Sequence, residues 1–238
     1  MKIWLNSEST GTCNLERNFY PVIDTRKYTH IQLLSCVLHN SWFNITRENN
    51  VLKFRAGNKE GIKTMRLKPG NYNIQTLNEG IHRSSDLGKQ IIFEKHKPTG
   101  RVRLNIPNDW EVMFKEDKTF AGLLGFDEVK ATHGKYGEHR VNFLTVKKYI
   151  IHCDVIDRTE NYVDRGSVDA RPANYLQVLT VKDTKEVCEQ VFYEFPNPVA
   201  MPIKRSDHIS SIRIWITDQD GREIDFNGFP ISICIELV

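Results

Sequence analysis

The chain has 238 residues, a formal net charge of +3, and 39% hydrophobic and 26% charged residues. That is the make-up of an ordinary soluble globular chain, long enough to bury a core without disulfides. No apolar run approaches the roughly 18 residues of a membrane span, and MKIWLNSES has too short an apolar stretch for a signal peptide, so neither is expected. Lys and Arg are spread along the chain without a basic tail, which argues against specific nucleic-acid recognition.

Residues 1–28 show no pattern that fixes their structure and are set apart as an N-terminal segment. One folded domain is expected over 29–238. THIQLLSCVLHN (29–40) reads as a buried strand. VLKFRA (51–56) and IKTMRL (62–67) flank GNKEG as a hairpin, and QIIFEKH (90–96) and RVRLNI (101–106) flank KPTG as another. Between the hairpins, Ile74, Leu77 and Ile81 recur at helical spacing in 74–87, with Asn73 as N-cap. WEVMFK (110–115) reads as a strand. DKTFAGLLGFD (117–127) reads as a short second helix capped by Asp117 and ended by Gly125, with Leu123, Leu124 and Phe126 docked on the core.

RVNFLTVKKYIIHCDVI (140–156) is long enough for two strands or one bent strand, and YLQVLTV (175–181) and VFYEF (191–195) follow. The chain finishes on two alternating runs, Ile212, Ile214, Ile216 and Ile231, Ile233, Ile235, Leu237, whose period of two places those side chains on the core face. Polar stretches 127–140 and 157–174 read as long loops of the kind that carry partner contacts. Many short strands with one helix inserted among the early ones indicate an all-β fold, a single jelly-roll β-sandwich with an inserted helix and a short second helix.

Catalytic patterns are tested in turn. GNKEGIKT (57–64) has three residues between its glycines and Ile62 before Lys63, so it is a hairpin turn and not a phosphate loop. No His-x-His occurs among the eight histidines, so the metal site of jelly-roll enzymes has no ligands here. His152-Cys153-Asp154 lies in a strand, where Cys153 points away from its neighbours, so the trio is no nucleophile–base pair. Asp127-Glu128 and Asp218-Gln219-Asp220-Gly221 are turn chemistry. The five cysteines (13, 36, 153, 188 and 234) lack a CxxC pair and read as small buried hydrophobes of a reducing compartment. Asn44-Ile45-Thr46 is an unused glycosylation sequon. No catalytic residue, cofactor or metal is expected. Trp215 alternates out of phase with Ile214 and Ile216 and so faces outward, where the alternatives are packing within the chain on the inserted helix, sugar binding, or contact with another subunit as an interface candidate.

The stretches SWFNITRENNVLKF (41–54), LKPGNYNIQTLNEGI (67–81), GRVRLNIPNDWEVMF (100–114), FAGLLGFD (120–127), YIIHCDVID (149–157) and ISSIRIWITDQDGREIDFNGFPISICIEL (209–237) resemble the minor capsid, or penton, proteins of Polinton (Maverick) elements and adintoviruses. The resemblance implies a homopentamer at the fivefold vertices of an icosahedral capsid, seated among trimers of a double-jelly-roll major capsid protein. It further implies a virion protein made in a reducing intracellular compartment of a eukaryotic host, with no catalytic residue to carry over. Contact candidates are then Trp215, Tyr136 and His139 in 127–140, and Tyr162, Arg165 and Arg171 in 157–174. The rival reading is a β-sandwich attachment or carbohydrate-binding module, which binds glycans without assembling.

Overall fold

The computed structural model describes residues 1–7, 13–57, 61–114, 118–157, 162–163, 171–172, 174–181, 189–204 and 206–238, with backbone alone at 162–163 and 171–172. The chain gathers into two compact units: Met1–Trp42 with Val146–Val238, and Phe43–Thr145. In chain order the first unit supplies β1 (Lys2–Asn6), β2 (Asn14–Asp24) and β3 (His30–His39). The second holds β4 (Val51–Ala56), β5 (Ile62–Arg66), α1 (Ile74–Ser84), β6 (Ile92–Lys95), β7 (Arg101–Asn105), β8 (Trp110–Met113), α2 (Ala121–Leu124), β9 (Lys130–Ala131) and β10 (Tyr136–Arg140). The first unit resumes with β11 (Lys148–Cys153), β12 (Tyr162–Val163), β13 (Arg171–Pro172), β14 (Tyr175–Thr180), β15 (Gln190–Glu194), β16 (Ala200–Pro202), β17 (His208–Thr217) and β18 (Ser232–Leu237).

The first unit is the expected jelly roll. One sheet runs β1-β18-β3-β15, with β16 also on β3, and the other runs β14-β11-β17-β2. Every long-strand pair is antiparallel. Counting the eight long strands alone, the sheets are first-last-third-sixth and fifth-fourth-seventh-second, the nested Greek keys of a jelly roll. The alternating isoleucines form the core: Ile212, Ile214, Ile216, Ile233 and Ile235 are 0% exposed and Ile231 is 1%. They pack with Ile3, Leu5, Leu38, Ile151 and Leu176 in one cluster. Tyr149 lies among them and donates its hydroxyl to Asn40 Oδ1 at 2.7 Å, and burial pushes its phenol well above the ordinary tyrosine range.

Within residues 1–28, β1 and β2 are part of this sandwich. KIWLN in β1 alternates with Ile3 and Leu5 inward, and pairs Trp4 with Cys234. β2 is an edge strand that buries little beyond Leu15 and Ile23. Its pairing with β17 runs from Ile23↔Ile209 to Asn18↔Ser211, so extra residues bulge out between these pairs. The bulge destroys the alternation from which a strand is read.

The second unit has its own core, which is why a segment read as part of one domain packs separately. Leu52, Phe54, Leu77, Phe93, Leu104, Val112 and Phe114 cluster there. Its sheets are β5-β4-β8-β9 and β10-β7-β6. Both expected hairpins form, pairing Val51 with Arg66 and Ile92 with Asn105. Asn73 caps α1 as expected: its side chain accepts from Thr76 N while Thr76 Oγ1 accepts from Asn73 N, a reciprocal capping box. The helix ends at Ser84, earlier than read, and Leu87 falls in a separate 3-10 turn. Ser84 Oγ bonds back to Gly80 O at 2.7 Å, an alternative partner for that carbonyl.

The second helix is a single turn, shorter than its expected span; Asp117, its expected cap, lies outside the described residues, and Phe120 precedes the turn without a side-chain cap. Gly125 ends it with φ +79, and a Cβ there would sit 2.3 Å from His139 O. Stretch 127–140, read as a loop, holds β9 and β10. In 140–156 there is one strand, β11, after Arg140 closes β10.

Replacing Ile233 with Asp sets an unpaired charge among the inward isoleucines, and a loss of roughly 3–5 kcal/mol is expected. Replacing it with Val should cost about 0.5–1.5 kcal/mol. Chemical denaturation of the two variants checks both values; equal stabilities would place that face outside the core.

Candidate functional site

Strand alternation decides the fate of the reactive trio. In β11, Cys153 pairs with Ile214 and is 0% exposed, inside the core. Burial pushes its thiol up to about 12. His152 faces the other way, its Nε2 2.9 Å from Thr217 Oγ1, and Asp154 Oδ1 accepts the Arg213 amide at 2.9 Å. Cys13, Cys36 and Cys234 are buried thiols as well, and Cys188 lies outside the described residues.

Among the described residues no three His, Cys, Asp or Glu side chains gather at metal-binding distance. A shallow cavity of about 680 Å³ opens beside Thr25, Tyr28, His30, Ile203, Lys204 and Asp207. Its polar groups are largely engaged by the fold: Thr25 Oγ1 donates to Ser206 O, Lys204 Nζ to Asp154 O, and Thr29 Oγ1 meets His30 Nδ1 at 2.8 Å. Arg26 grips Asp24 at 2.9 Å, and that hydrogen bond holds the Asp24 carboxyl at about 2.

The sequon asparagine is structural. Asn44 is 2% exposed, and its Nδ2 lies 2.7 Å from Tyr72 O and 3.2 Å from Phe143 O while its Oδ1 accepts Tyr72 N at 2.9 Å. One amide thus pins the first and last segments of the second unit together, and a glycan on it is incompatible with this packing. Asp218 is a turn residue, as read: its Oδ1 accepts from the amides of Asp220 and Arg222, and Gly221 has φ +79.

Of the contact candidates, Trp215 lies half-buried on the outer face of the β14-β11-β17-β2 sheet. It pairs with His152 on one side and Asn14 on the other. The His152 ring stacks on it at 5.0 Å and 6°, and the Arg213 guanidinium lies 5.8 Å from its centroid, held by Asn14 Oδ1 at 3.0 Å. Tyr136 and His139 belong to β10 in the second unit. Tyr136 meets His96 edge-on at 5.7 Å, and His139 Nε2 lies 2.6 Å from Asp127 Oδ2. Tyr162 and Arg171 are placed by backbone alone, in the β12–β13 pair, and Arg165 lies outside the described residues.

Several exposed apolar side chains that the sequence does not single out sit on the two flanks of the jelly roll. At one flank the edge strands β1 and β2 meet, where Arg17 Nη1 donates to Trp4 O at 2.8 Å. Trp4 is 52% exposed there, Val22 is 48%, and Tyr20 stands fully exposed on the β2 bulge. At the opposite flank β14 and β15 meet, where Tyr193 Oη donates to Thr180 O at 3.2 Å. Val178 and Phe192 are exposed on these strands, and Val199 just before β16. The missed signal is Trp4 alternating out of phase with Ile3 and Leu5, the same argument that singles out Trp215.

No protein-family model and no curated protein matches the chain. Among solved structures it is similar to the mavirus penton protein, with TM-score 0.51 and 10% identity over 100% of both chains. It also aligns with a chain of the Sputnik virophage structure, with TM-score 0.45 and 9% identity over 98% of this chain and 96% of that one. The mavirus match bears on the fold, and it extends over the full length of the chain.

The burial of Cys153 has a direct readout. Iodoacetamide at neutral pH should leave Cys153 unmodified in the folded protein and label it once denaturant is added, as peptide mass spectrometry will show. Rapid labelling of the native chain would reveal an activated thiolate that this geometry does not allow.

Proposed function

We propose that this chain is a structural penton subunit, five copies of which ring the fivefold vertex of an icosahedral capsid among trimers of a double-jelly-roll major capsid protein. The observation that supports this most is the match to a penton protein from end to end of both chains, at a level where fold survives and sequence does not. The resemblance to Polinton and adintovirus penton proteins points the same way, and with it to a virion protein of a eukaryotic host made in a reducing compartment. A subunit of this kind contributes shape, and the role calls for no catalytic residue or cofactor.

A cyclic ring needs two different patches on each subunit, because its contacts are head-to-tail. The two flanks of the jelly roll meet that need: Trp4, Tyr20 and Val22 on one, and Val178, Phe192 and Val199 on the other. Tyr136, His139, Tyr162, Arg165, Arg171 and Trp215 then serve as contacts to neighbouring subunits or to the major capsid protein. A specific ring contact should bury on the order of 1,000 Å² or more in total.

Mass photometry tests the reading on the chain alone and with its major capsid partner. A pentamer in either case is expected. Trp4→Ser with Tyr20→Ser, or Phe192→Ser with Val178→Ser, should each give monomers. Mixing the two double variants should restore one contact and yield dimers that grow no further, the signature of a heterologous interface. A chain that stays monomeric with its partner and is absent from particle vertices by electron microscopy overturns the reading in favour of a binding module.

A further inference from the structure

The three-stranded sheet β10-β7-β6 carries an unusual density of unpaired cations. Arg101 and Arg103 are two residues apart on β7, so both leave the face opposite the buried Val102 and Leu104, about 6.7 Å apart along the strand. Arg140 pairs directly with Arg101 across to β10. Among the described residues no carboxylate lies within ion-pair distance of any of the three, whereas the neighbouring charges are matched: Lys135 with Glu128 at 2.7 Å, His139 with Asp127 at 2.6 Å, and Glu138 with the Asp127 amide at 2.9 Å. Lys97 adds a further exposed cation in the β6–β7 turn. Glu94 stands directly across from Arg103 on the same face and makes no ion pair with it. Like charges placed directly across a sheet oppose its pairing, and Arg101 faces Arg140 with no ion pair among the described residues to offset it.

The same face carries rings. Tyr136, 38% exposed, pairs with Arg103, whose guanidinium carbon sits 5.9 Å from the ring centroid, and His96 meets Tyr136 edge-on. Among the described residues Arg103 Nε is buried and has no hydrogen-bond partner, one of two such atoms in this unit with Asn50 Oδ1. Planar forked donors with an exposed aromatic between them suit a phosphodiester backbone whose bases stack, and a β-sheet face is a platform on which such a strand lies extended.

We propose that the outer face of β10-β7-β6 binds single-stranded nucleic acid through its phosphates, without reading sequence, with Arg101, Arg103 and Arg140 as phosphate contacts and Tyr136 as a stacking surface. This activity is independent of ring formation. It accords with the absence of a sequence-reading motif, because the contacts are to backbone.

Fluorescence anisotropy of a labelled twenty-nucleotide thymidine strand with the full chain tests it. Three phosphate contacts give a slope of log affinity against log salt of about −2, a loss of about 20-fold between 50 and 200 mM salt. Arg101→Gln with Arg140→Gln should weaken binding about tenfold or more at 50 mM and bring the slope to about −0.7, while melting like the parent. Arg83→Gln with Lys68→Gln, which removes the same charge elsewhere in the unit, should bind as the parent does. No binding at 50 mM salt, or equal weakening by both double variants, overturns the proposal. So does a sulfated heparin dodecamer that binds more tightly than the oligonucleotide at the same salt and loses affinity with Arg101 and Arg140, which would make the face a glycan site.

Discussion

The jelly roll closes only when its last two strands reach its first three. β18 lies between β1 and β3, and among the described residues β17 is the sole ladder partner of β2. Met1 and Leu237 exchange hydrogen bonds at 2.6 and 2.9 Å, so a contact spanning nearly the whole chain is part of the sheet. None of β1, β2 or β3 pairs with another of the three, so the early strands have no sheet of their own until the C-terminal segment arrives. The entropy of closing such loops is met before the contacts stabilise anything, which makes this topology slow to form. It also explains the density of isoleucine in β17 and β18. Strands that organise both sheets must define their register without ambiguity, and a run of inward β-branched residues does so because a slip by one position would turn every one of them to solvent.

The second unit obeys the opposite logic. Its hairpins β4–β5 and β6–β7 and the helix α1 are local, and each is legible because a short-range device marks it: Gly100 at φ +69 in the turn, the Asn73–Thr76 box, Gly125 at the end of α2. Asn44 then joins the two ends of the segment through Tyr72 and Phe143. A segment with local pairing, its own aromatic core and a hydrogen-bonded clamp at its base has what it needs to pack as a unit, whatever the strands on either side of it in sequence do.

What the sequence failed to reveal follows from the same physics. Core strands announce themselves by alternation; edge strands do not, because one side of the ladder and often both faces meet solvent. NLERNFYPVID buries two aliphatic side chains and breaks its own register, so β2 is invisible to a periodicity argument, whereas the alternation of Ile3 and Leu5 in β1 is legible but short. The boundary of the second unit was missed because nothing marks Trp42–Phe43 in composition: Trp42 belongs to one core and Ile45 to the other, three residues on. The reactive trio at 152–154 was read correctly because it depends on the period of a strand alone. Trp215 was placed on the right face, but its stacking on His152 depends on which strand lies next to β17, a tertiary fact that no local pattern holds.

The exposed flanks bear on how the chain behaves on its own. Proteins commonly blunt their edge strands with charge, proline or a bulge. Here β2 has both Pro21 and the bulge, and Arg17 occupies the Trp4 carbonyl. These devices discourage pairing of one backbone with another. They do not hide side chains, and the same bulge that breaks the ladder leaves Tyr20 fully exposed, with Val22 exposed on the same strand and Trp4 on the neighbouring edge strand. The flank therefore resists indiscriminate strand addition while still offering apolar surface to a partner with a matching shape. That separation suits the proposed ring, since open-ended strand pairing would build fibres, whereas contacts made through side-chain complementarity fix an angle and can close.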